Sequence, residues 1–319
     1  MKTPAFWFQP PGTLSKLLRP LACLYQPIGS LRSYRPVHLD VPLIVVGNVV
    51  AGGAGKTPVT LALAKYLQDK GLAVHLLAKG YGGKLAGPLR VDLEKHTALD
   101  VGDEPLLLAR AAPTWIGRDR GAAALAAQQG ADILISDDGL QSPRLAPTLG
   151  LLVMDGVLGI GNGQLIPAGP LREPVAKALK RVHAVVQVGG QARDFGTTPV
   201  LMADFIAQNT DWLRGTKVLA FAGIGQPEKF FATLTTAGAQ LCAALPYADH
   251  RPYSEAEIRS LIRQADELGA TPVTTSKDAV RIPWNLREQV RVVEGEVLWR
   301  DPAQLDGLLA PLLARIKSA

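Results

Sequence analysis

Residues 43–67, LIVVGNVVAGGAGKTPVTLALAKYL, constrain the chain more than any other stretch. A short β-branched run at 43–46 enters a glycine-rich turn, and an apolar-periodic helix over 57–70 leaves it. That order is strand, phosphate loop, helix. Gly52, Gly53 and Gly55 reach backbone angles closed to other residues, so the N–H groups of Gly52, Gly53, Ala54 and Gly55 can turn inward on a phosphate chain at the helix N-terminus. Lys56 is then placed to reach the outer phosphates and the Thr57 hydroxyl to ligate magnesium. The common pattern G-x-x-x-x-G-K-[ST] asks for glycine at position 50, where this chain has Val50, with Gly47 further upstream. A ligand-free αβ turn is the alternative, but Gly-Lys-Thr with a strand before it and a helix after it favours a nucleotide.

With 319 residues, 47% of them hydrophobic, the chain has more core-forming material than one domain usually needs, so two domains are expected. Cys23 and Cys242 stand far apart and in no metal-ligand spacing, which implies neither a zinc site nor a disulfide framework and fits a reducing compartment. A net charge of +6 and a pI near 9.3 point to an anionic partner, whether nucleotide, membrane or nucleic acid, without choosing among them. No apolar run is long enough to span a bilayer, and the first residues lack the pattern of a signal peptide, so a cytoplasmic protein is expected.

The N-terminal segment stands apart. Up to Leu39 it holds Lys2, Lys16, Arg19, Arg32 and Arg35 and no acidic residue, interleaved with Phe6, Trp7 and Phe8. Leu14, Leu17, Leu18, Leu21 and Tyr25 fall on one helical face, Thr13 suits an N-cap, and Pro20 should kink the helix. This is the pattern of a basic amphipathic helix lying in a membrane interface. It is equally the pattern of a helix packed on its own protein's core with its basic residues solvated.

Beyond the phosphate loop the chain alternates as parallel α/β proteins do. A strand at 72–77 runs into Lys79-Gly80-Tyr81-Gly82-Gly83, placed as a site loop beside the phosphate loop. Asp103 and Glu104 open a leucine-rich helix, where paired acids also suit the helix dipole. Arg118 and Arg120 follow a strand ending at Ile116, and either clamp phosphate or are simply solvated. In ADILISDDGLQ, residues 131–141, four apolar or small residues run into Asp137-Asp138, the form of a Walker B strand; magnesium or a helix cap would account for the acids. Residues 159–172, GIGNGQLIPAGPLR, read as a lid or binding loop. A strand at 182–188 precedes a boundary over 189–198. A second α/β set starts at Lys217, with Gly223-Ile224-Gly225 before a helix over 227–237. Ala248-Asp249-His250 ahead of Tyr253, and TTSKDAVR over 274–281, carry possible chemistry.

Taken together, GNVVAGGAGKTPV, KGYGG, GDEPLLLA, SDDGLQ, NGQLIPAGPLRE, FAGIGQPEKFF, ADH with Tyr253, and SKDAVR resemble the tetraacyldisaccharide 4′-kinases of lipid A biosynthesis, in order from about residue 43 to 281. The resemblance implies transfer of the γ-phosphate of ATP to the 4′-hydroxyl of an acylated glucosamine disaccharide 1-phosphate. The place would be the cytoplasmic face of the inner membrane of Gram-negative bacteria, with no nucleic acid and no obligate protein partner. It implies ATP and Mg2+ as cofactors, phosphate and metal binding by Lys56 and Thr57, and a metal site completed by Asp137 and Asp138. Asp103 matches the family's catalytic acid, paired with His250, and Arg120 and Arg172 match positions assigned to charged groups of nucleotide or substrate. Ser142-Pro143, Arg251 and Ser276 depart from the family pattern. The competing class is a switch-type P-loop GTPase or NTPase acting on a protein partner, but neither an Asn-Lys-x-Asp segment nor a Cys/His cluster is present.

The expected architecture is a P-loop NTPase-like α/β/α domain with a mostly parallel sheet over 41–214. An amphipathic membrane-interface segment at 1–40 precedes it, and a smaller C-terminal α/β domain at 215–319 follows it.

Overall fold

The computed structural model describes residues 4–30 and 35–317, the side chains of 23–30 excepted. The chain first lays down β1 (Leu43–Gly47), β2 (Val74–Ala78), β3 (Leu89–Arg90), β4 (Thr114–Ile116), β5 (Ile133–Asp137), β6 (Leu149–Asp155), β7 (Ala184–Val188) and β8 (Val200–Ala207). It then forms β9 (Lys217–Ala222), β10 (Gln240–Pro246), β11 (Thr271–Thr275) and β12 (Arg291–Val293), and finally β13 (Gly295–Trp299). These make a nine-stranded sheet in the order β13-β8-β7-β6-β1-β5-β2-β4-β3 and a four-stranded sheet in the order β10-β9-β11-β12. The small sheet is parallel throughout, and the large one is parallel except at its two edges, where β13 meets β8 and β3 meets β4 antiparallel.

The β-branched run that opens the phosphate-loop stretch becomes the centre of the large sheet. Alternate residues of β1 face opposite ways. Ile44 and Val46 join Val59, Leu63 and Leu67 of the helix Lys56–Gln68, while Leu43 and Val45 join Ala123, Ala124 and Ala127 of the helix Arg120–Ala127. A parallel sheet covered on both faces needs near-continuous apolar strands, and every residue of β1 and β5 is buried. β1 lies between β5 and β6, so the chain reverses its direction of strand addition there. Such a switch point opens a crevice at the carboxyl ends of the strands. The register pairs Val46 with Asp137, which sets the end of β5 beside the entry to the phosphate loop.

Two features differ from the expected organisation. The second unit does not run to the end of the chain: β13 returns to the edge of the large sheet, and the helix Pro302–Lys317 buries Leu305, Leu309 and Leu312 in the large sheet's core. β8, expected in no form, follows the Gly-rich boundary and supplies the edge that β13 joins.

At the N-terminus, the helix Thr13–Ser30 continues through Pro20, with Thr13 its first residue rather than its cap. Ser15 and Ala22 are buried, while Leu14, Leu17 and Leu21 are 50%, 73% and 53% exposed, so the leucines are not spent on the protein's own core. Lys2 and Arg32, and the side chain of Tyr25, lie outside the described residues. Among the described residues no helix is long and apolar enough to cross a membrane.

Because Leu309 is fully buried in the large sheet's core, Leu309→Ala should lower unfolding stability by about 2–5 kcal/mol. Urea denaturation measures it; a cost near zero would mean that the last helix is not part of that core.

Candidate active site

The phosphate loop leaves β1 at Gly47 and enters the helix Lys56–Gln68 through Gly55, whose φ of +82° is left-handed and open to glycine at little cost. Val50, at the position where the common pattern has glycine, is buried and bridges to Leu171 of the 159–172 loop. Pro170 O accepts from the Ala51 N–H at 2.7 Å and Val49 O from the Arg172 N–H at 2.7 Å, so the two loops are strapped together. Space is open where a Cβ on Gly53 would project, while a Cβ added on Gly225 of the second unit would lie 3.4 Å from Gly53 N. Lys56 Nζ donates to Asn48 Oδ1 at 3.2 Å and lies 3.7 Å from Asp138 Oδ1.

The two adjacent acids at the end of β5 have different surroundings. Asp137 is buried and accepts from the Thr57 hydroxyl at 2.8 Å and the Thr60 hydroxyl at 3.3 Å. Burial raises its pKa from the ordinary 3.8 to about 6 in spite of Lys56 and the Thr57 hydroxyl, which favour the charged form. For Asp138 burial also disfavours charge, but Lys56, Arg172 and Arg120 outweigh it and hold the carboxyl below the usual range. Arg172 Nη1 reaches its two oxygens at 3.2 and 3.3 Å. Asp138 has φ of +52°, uncommon for a residue with a side chain, and this turns consecutive carboxylates into different environments.

Asp137, with the Thr57 hydroxyl as a second hard oxygen beside it, could hold magnesium, which typically takes one or two protein oxygens together with phosphates. Among the described residues no group of three or more His, Cys, Asp or Glu side chains is arranged around a metal position. Arg120 is buried, with Nη1 donating to Ser136 Oγ at 2.8 Å and to the Asp137 carbonyl at 2.7 Å, so it braces the end of β5. Its helix is capped by Asp119, which accepts from the Gly121 and Ala122 N–H groups.

Asp103 comes from the large-sheet unit and His250 from the small one, and they meet with His250 Nδ1 3.0 Å from Asp103 Oδ2. Gly102, with φ of +89°, ends the short helix Ala98–Val101 and starts Asp103–Ala109, putting Asp103 and Glu104 in a first turn where negative charge is favoured. His250 also has a left-handed backbone, φ +60°, and the Tyr81 ring meets it edge-on at 5.8 Å between centroids. Around this pair stand three residues that the sequence reading left without a role: Glu104, Lys277 and Arg281. Lys277 Nζ is 3.1 Å from each of Glu104 Oε1, Asp249 Oδ1 and His250 Nε2, and Arg281 Nε is 3.4 Å from Asp103 Oδ2. Arg281 also pairs with the buried Asp278 at 2.7 Å, which accepts in turn from the Tyr253 hydroxyl and the Gly223 N–H. GDEPLLLA for Glu104 and TTSKDAVR for the two cations were the available signals, but contacts this distant in sequence leave no trace in spacing.

One cleft of about 2000 Å³ joins the phosphate loop to this cluster. Gly52, Gly53, Ala54, Gly55, Lys56, Thr57, Arg120, Asp137, Asp138, Arg172 and His250 all line it. Asp103 does not; it is only 6% exposed and lies behind His250 and Glu104, which do.

Comparison with known proteins points to one family. The sequence profile of the tetraacyldisaccharide-1-P 4′-kinases matches residues 14–314. A tetraacyldisaccharide 4′-kinase of Rhodospirillum centenum is 53% identical over 98% of this chain and 97% of its own length, and one of Rhodospirillum rubrum is 46% identical over 98% of each. A crystal structure of LpxK from Aquifex aeolicus in complex with ATP superposes with a TM-score of 0.78 at 27% identity, covering 94% of this chain and 99% of the other.

The raised pKa of Asp137 has a pH signature. A carboxyl whose folded pKa lies above its unfolded one stabilises the fold while neutral, and that contribution is lost as pH rises from about 4 to about 6. Asp137→Asn cannot ionise, so without metal or nucleotide it should be more stable than wild type at neutral pH, by at most about 3 kcal/mol. Urea unfolding of both proteins with a chelator, across that pH range, reads the difference; greater stability of the wild type at neutral pH would show that Asp137 ionises at little cost.

Proposed function

This chain belongs to the tetraacyldisaccharide 4′-kinase family and is an ATP-dependent kinase of lipid A biosynthesis, and we propose that Asp103, His250, Lys56 and the Thr57–Asp137 pair carry out its reaction. That reaction transfers the γ-phosphate of ATP to the 4′-hydroxyl of tetraacyldisaccharide 1-phosphate. The observation that carries the assignment of roles is the 3.0 Å contact of His250 with Asp103, made between two units in the cleft that also holds the phosphate loop.

In this reading Gly52, Gly53, Ala54 and Gly55 cradle the phosphates, and Lys56 balances charge on the outer ones. Thr57 and Asp137 hold magnesium, which when bound neutralises charge on the phosphate oxygens. Asp138, held by Lys56 and Arg172, keeps both cations pointed at the phosphate end of the cleft. Asp103 takes the proton of the 4′-hydroxyl as the new O–P bond forms and the bond to the β-phosphate oxygen breaks, releasing ADP. Asp103 is covered in this conformation, so side chains in front of it have to move to admit the acceptor's hydroxyl. Arg120 serves by bracing β5, and Arg172 by pairing with Asp138. The switch-type NTPase reading gives the Asp103–His250 pair no task and is set aside.

The enzyme works as a peripheral protein at the cytoplasmic face of the inner membrane, without an obligate protein partner. Supporting this is the outward leucine face of the helix Thr13–Ser30, whose other face is anchored by the Ser15 hydroxyl on Ala168 O at 2.7 Å. An acceptor with four acyl chains stays in the bilayer, so the enzyme has to come to it.

Purified protein with labelled ATP, magnesium and detergent-dispersed acceptor should form a labelled bisphosphorylated lipid. Asp103→Ala should lower kcat by about 10²–10⁴-fold with ATP binding kept. Full turnover in that variant would remove Asp103 from the chemistry, and hydrolysis of nucleotide without any lipid product would overturn the function. For the membrane surface, Leu17→Asp should weaken co-sedimentation with anionic vesicles several-fold and leave ATP affinity unchanged; equal sedimentation would refute the interfacial role of that face.

A further inference from the structure

We propose that Lys277 is a positioning residue for the transfer reaction: it fixes His250 as a neutral ring whose single proton sits on Nδ1 and points at Asp103. The inference rests on the assignment of Asp103 as the base and adds what keeps that base usable.

An ammonium has three N–H donors and accepts nothing. Lys277 Nζ has three partners at 3.1 Å: Glu104 Oε1, Asp249 Oδ1 and His250 Nε2. Two of them are carboxylate oxygens. The third is a ring nitrogen, and it can take part only as a lone pair, so Nε2 carries no proton. The remaining ring nitrogen, Nδ1, then holds the proton of the neutral imidazole and donates to Asp103 Oδ2 at 3.0 Å. The two glutamate and aspartate partners keep Lys277 charged although burial opposes it.

The charges facing the ring explain why a cation is needed there. From the helix Asp103–Ala109 come Asp103 itself and Glu104, whose Oε1 is 3.6 Å from Nε2; from the turn before the ring comes Asp249, whose Oδ2 is 3.7 Å away. Tyr81 contributes only a ring edge, and Arg281 acts on Asp103 rather than on the ring. Without Lys277, Nε2 would face two carboxylates and take up a proton. The resulting imidazolium beside Asp103 would form an ion pair with it, and a carboxylate tied to a cation is a weaker base. Lys277 therefore protects the basicity of Asp103 from the far side of the ring, and Asp103 keeps Oδ1 for the acceptor's proton. In this arrangement all three donors of Lys277 are engaged by protein groups.

The full chain, labelled with ¹⁵N-histidine in detergent, tests this directly. The His250 signals are identified by their loss in His250→Gln. At neutral pH the wild-type ring should show a protonated Nδ1 and an unprotonated Nε2. In Lys277→Met both nitrogens should be protonated at the same pH, and kcat should fall by about 10²-fold with KM for ATP unchanged. Lys277→Arg, which keeps a cation beside Nε2, should keep the ring neutral. A wild-type ring protonated on Nε2 overturns the proposal without any variant having to fold. So does an unchanged ring in Lys277→Met, or a rise in KM for ATP with kcat retained, which would make Lys277 a nucleotide ligand. Because the ring's proton state is read without substrate, its outcome is separate from that of Asp103→Ala, whose full activity would overturn the base assignment instead.

Discussion

A carboxylate at the buried end of a parallel strand governs the arrangement around it. Asp137 sits where β5 leaves the middle of the sheet, with Val46 beside it in register and helices covering both faces. A charge there is costly unless something opposite in sign is brought to it. The protein supplies partial compensation only: hydroxyls from Thr57 and Thr60, and Lys56 at longer range. The following acid, one residue on, is given two cations. Asp137 is thus left with less compensation than Asp138, at the mouth of the phosphate loop, where a cation would complete it.

On the opposite wall of the cleft every acid has a close hydrogen-bonding partner. Asp103, Glu104 and Asp249 face Lys277, Arg281 and the His250 ring, and Arg281 is anchored from behind by buried Asp278. Both cations come from the few residues after β11, so one short segment holds Asp103 from one side and His250 from the other. The segment is itself stiffened: the Thr275 hydroxyl caps it by accepting from the Asp278 N–H at 3.1 Å, and the Asp278 carboxylate accepts from Gly223 in the preceding β9 loop. Truncating one partner of such a network leaves a charge unpaired in a partly buried place, so its members are more tightly coupled than their individual hydrogen bonds suggest.

Much of this was legible in the sequence because it is local. Glycines, Lys56 and Thr57 lie within a few residues of one another, and strand, turn and helix each have their own pattern; β1 and β5 lie within two residues of where periodicity puts them. The resemblance to a kinase family brought in Asp103 and His250, which no spacing argument connects across 147 residues. What stayed hidden was non-local or ambiguous. β8 mixes buried and exposed positions without clean alternation, as an inner-edge strand partly covered by β13 does. The final helix contains Pro311 and reads as a poor helix until the core it covers is known. Arg120 looked like a phosphate ligand by position, yet its backbone geometry turns it under β5 to Ser136 and the Asp137 carbonyl.

The same non-local logic explains the long Gly/Pro loop. Residues 159–172 do not form a loose lid, because they are pinned at both ends of their course. Asn162 donates through Nδ2 to Ala168 O and to Ser15 Oγ, and its main-chain N–H donates to Trp7 O at 2.7 Å. Further on, Pro170 and Arg172 bond the phosphate loop, and the Arg172 side chain reaches Asp138. Close packing allows none of these segments to shift alone: a Cβ on Gly161 would come within 2.5 Å of Trp7 O, and one on Gly169 within 2.0 Å of Asn162 Oδ1. The N-terminal helix, the loop and the phosphate site are therefore joined by one run of hydrogen bonds. On the proposed membrane surface, the depth to which the leucines enter then fixes the height of the phosphate loop above the bilayer. An acceptor held by its acyl chains has a headgroup at nearly constant height, so matching two heights is a positional requirement that a flexible tether would not meet. The hydrogen bonds of Asn162 and Ser15 run between the two, from the helix proposed to meet the membrane to the loop that bonds the phosphate loop.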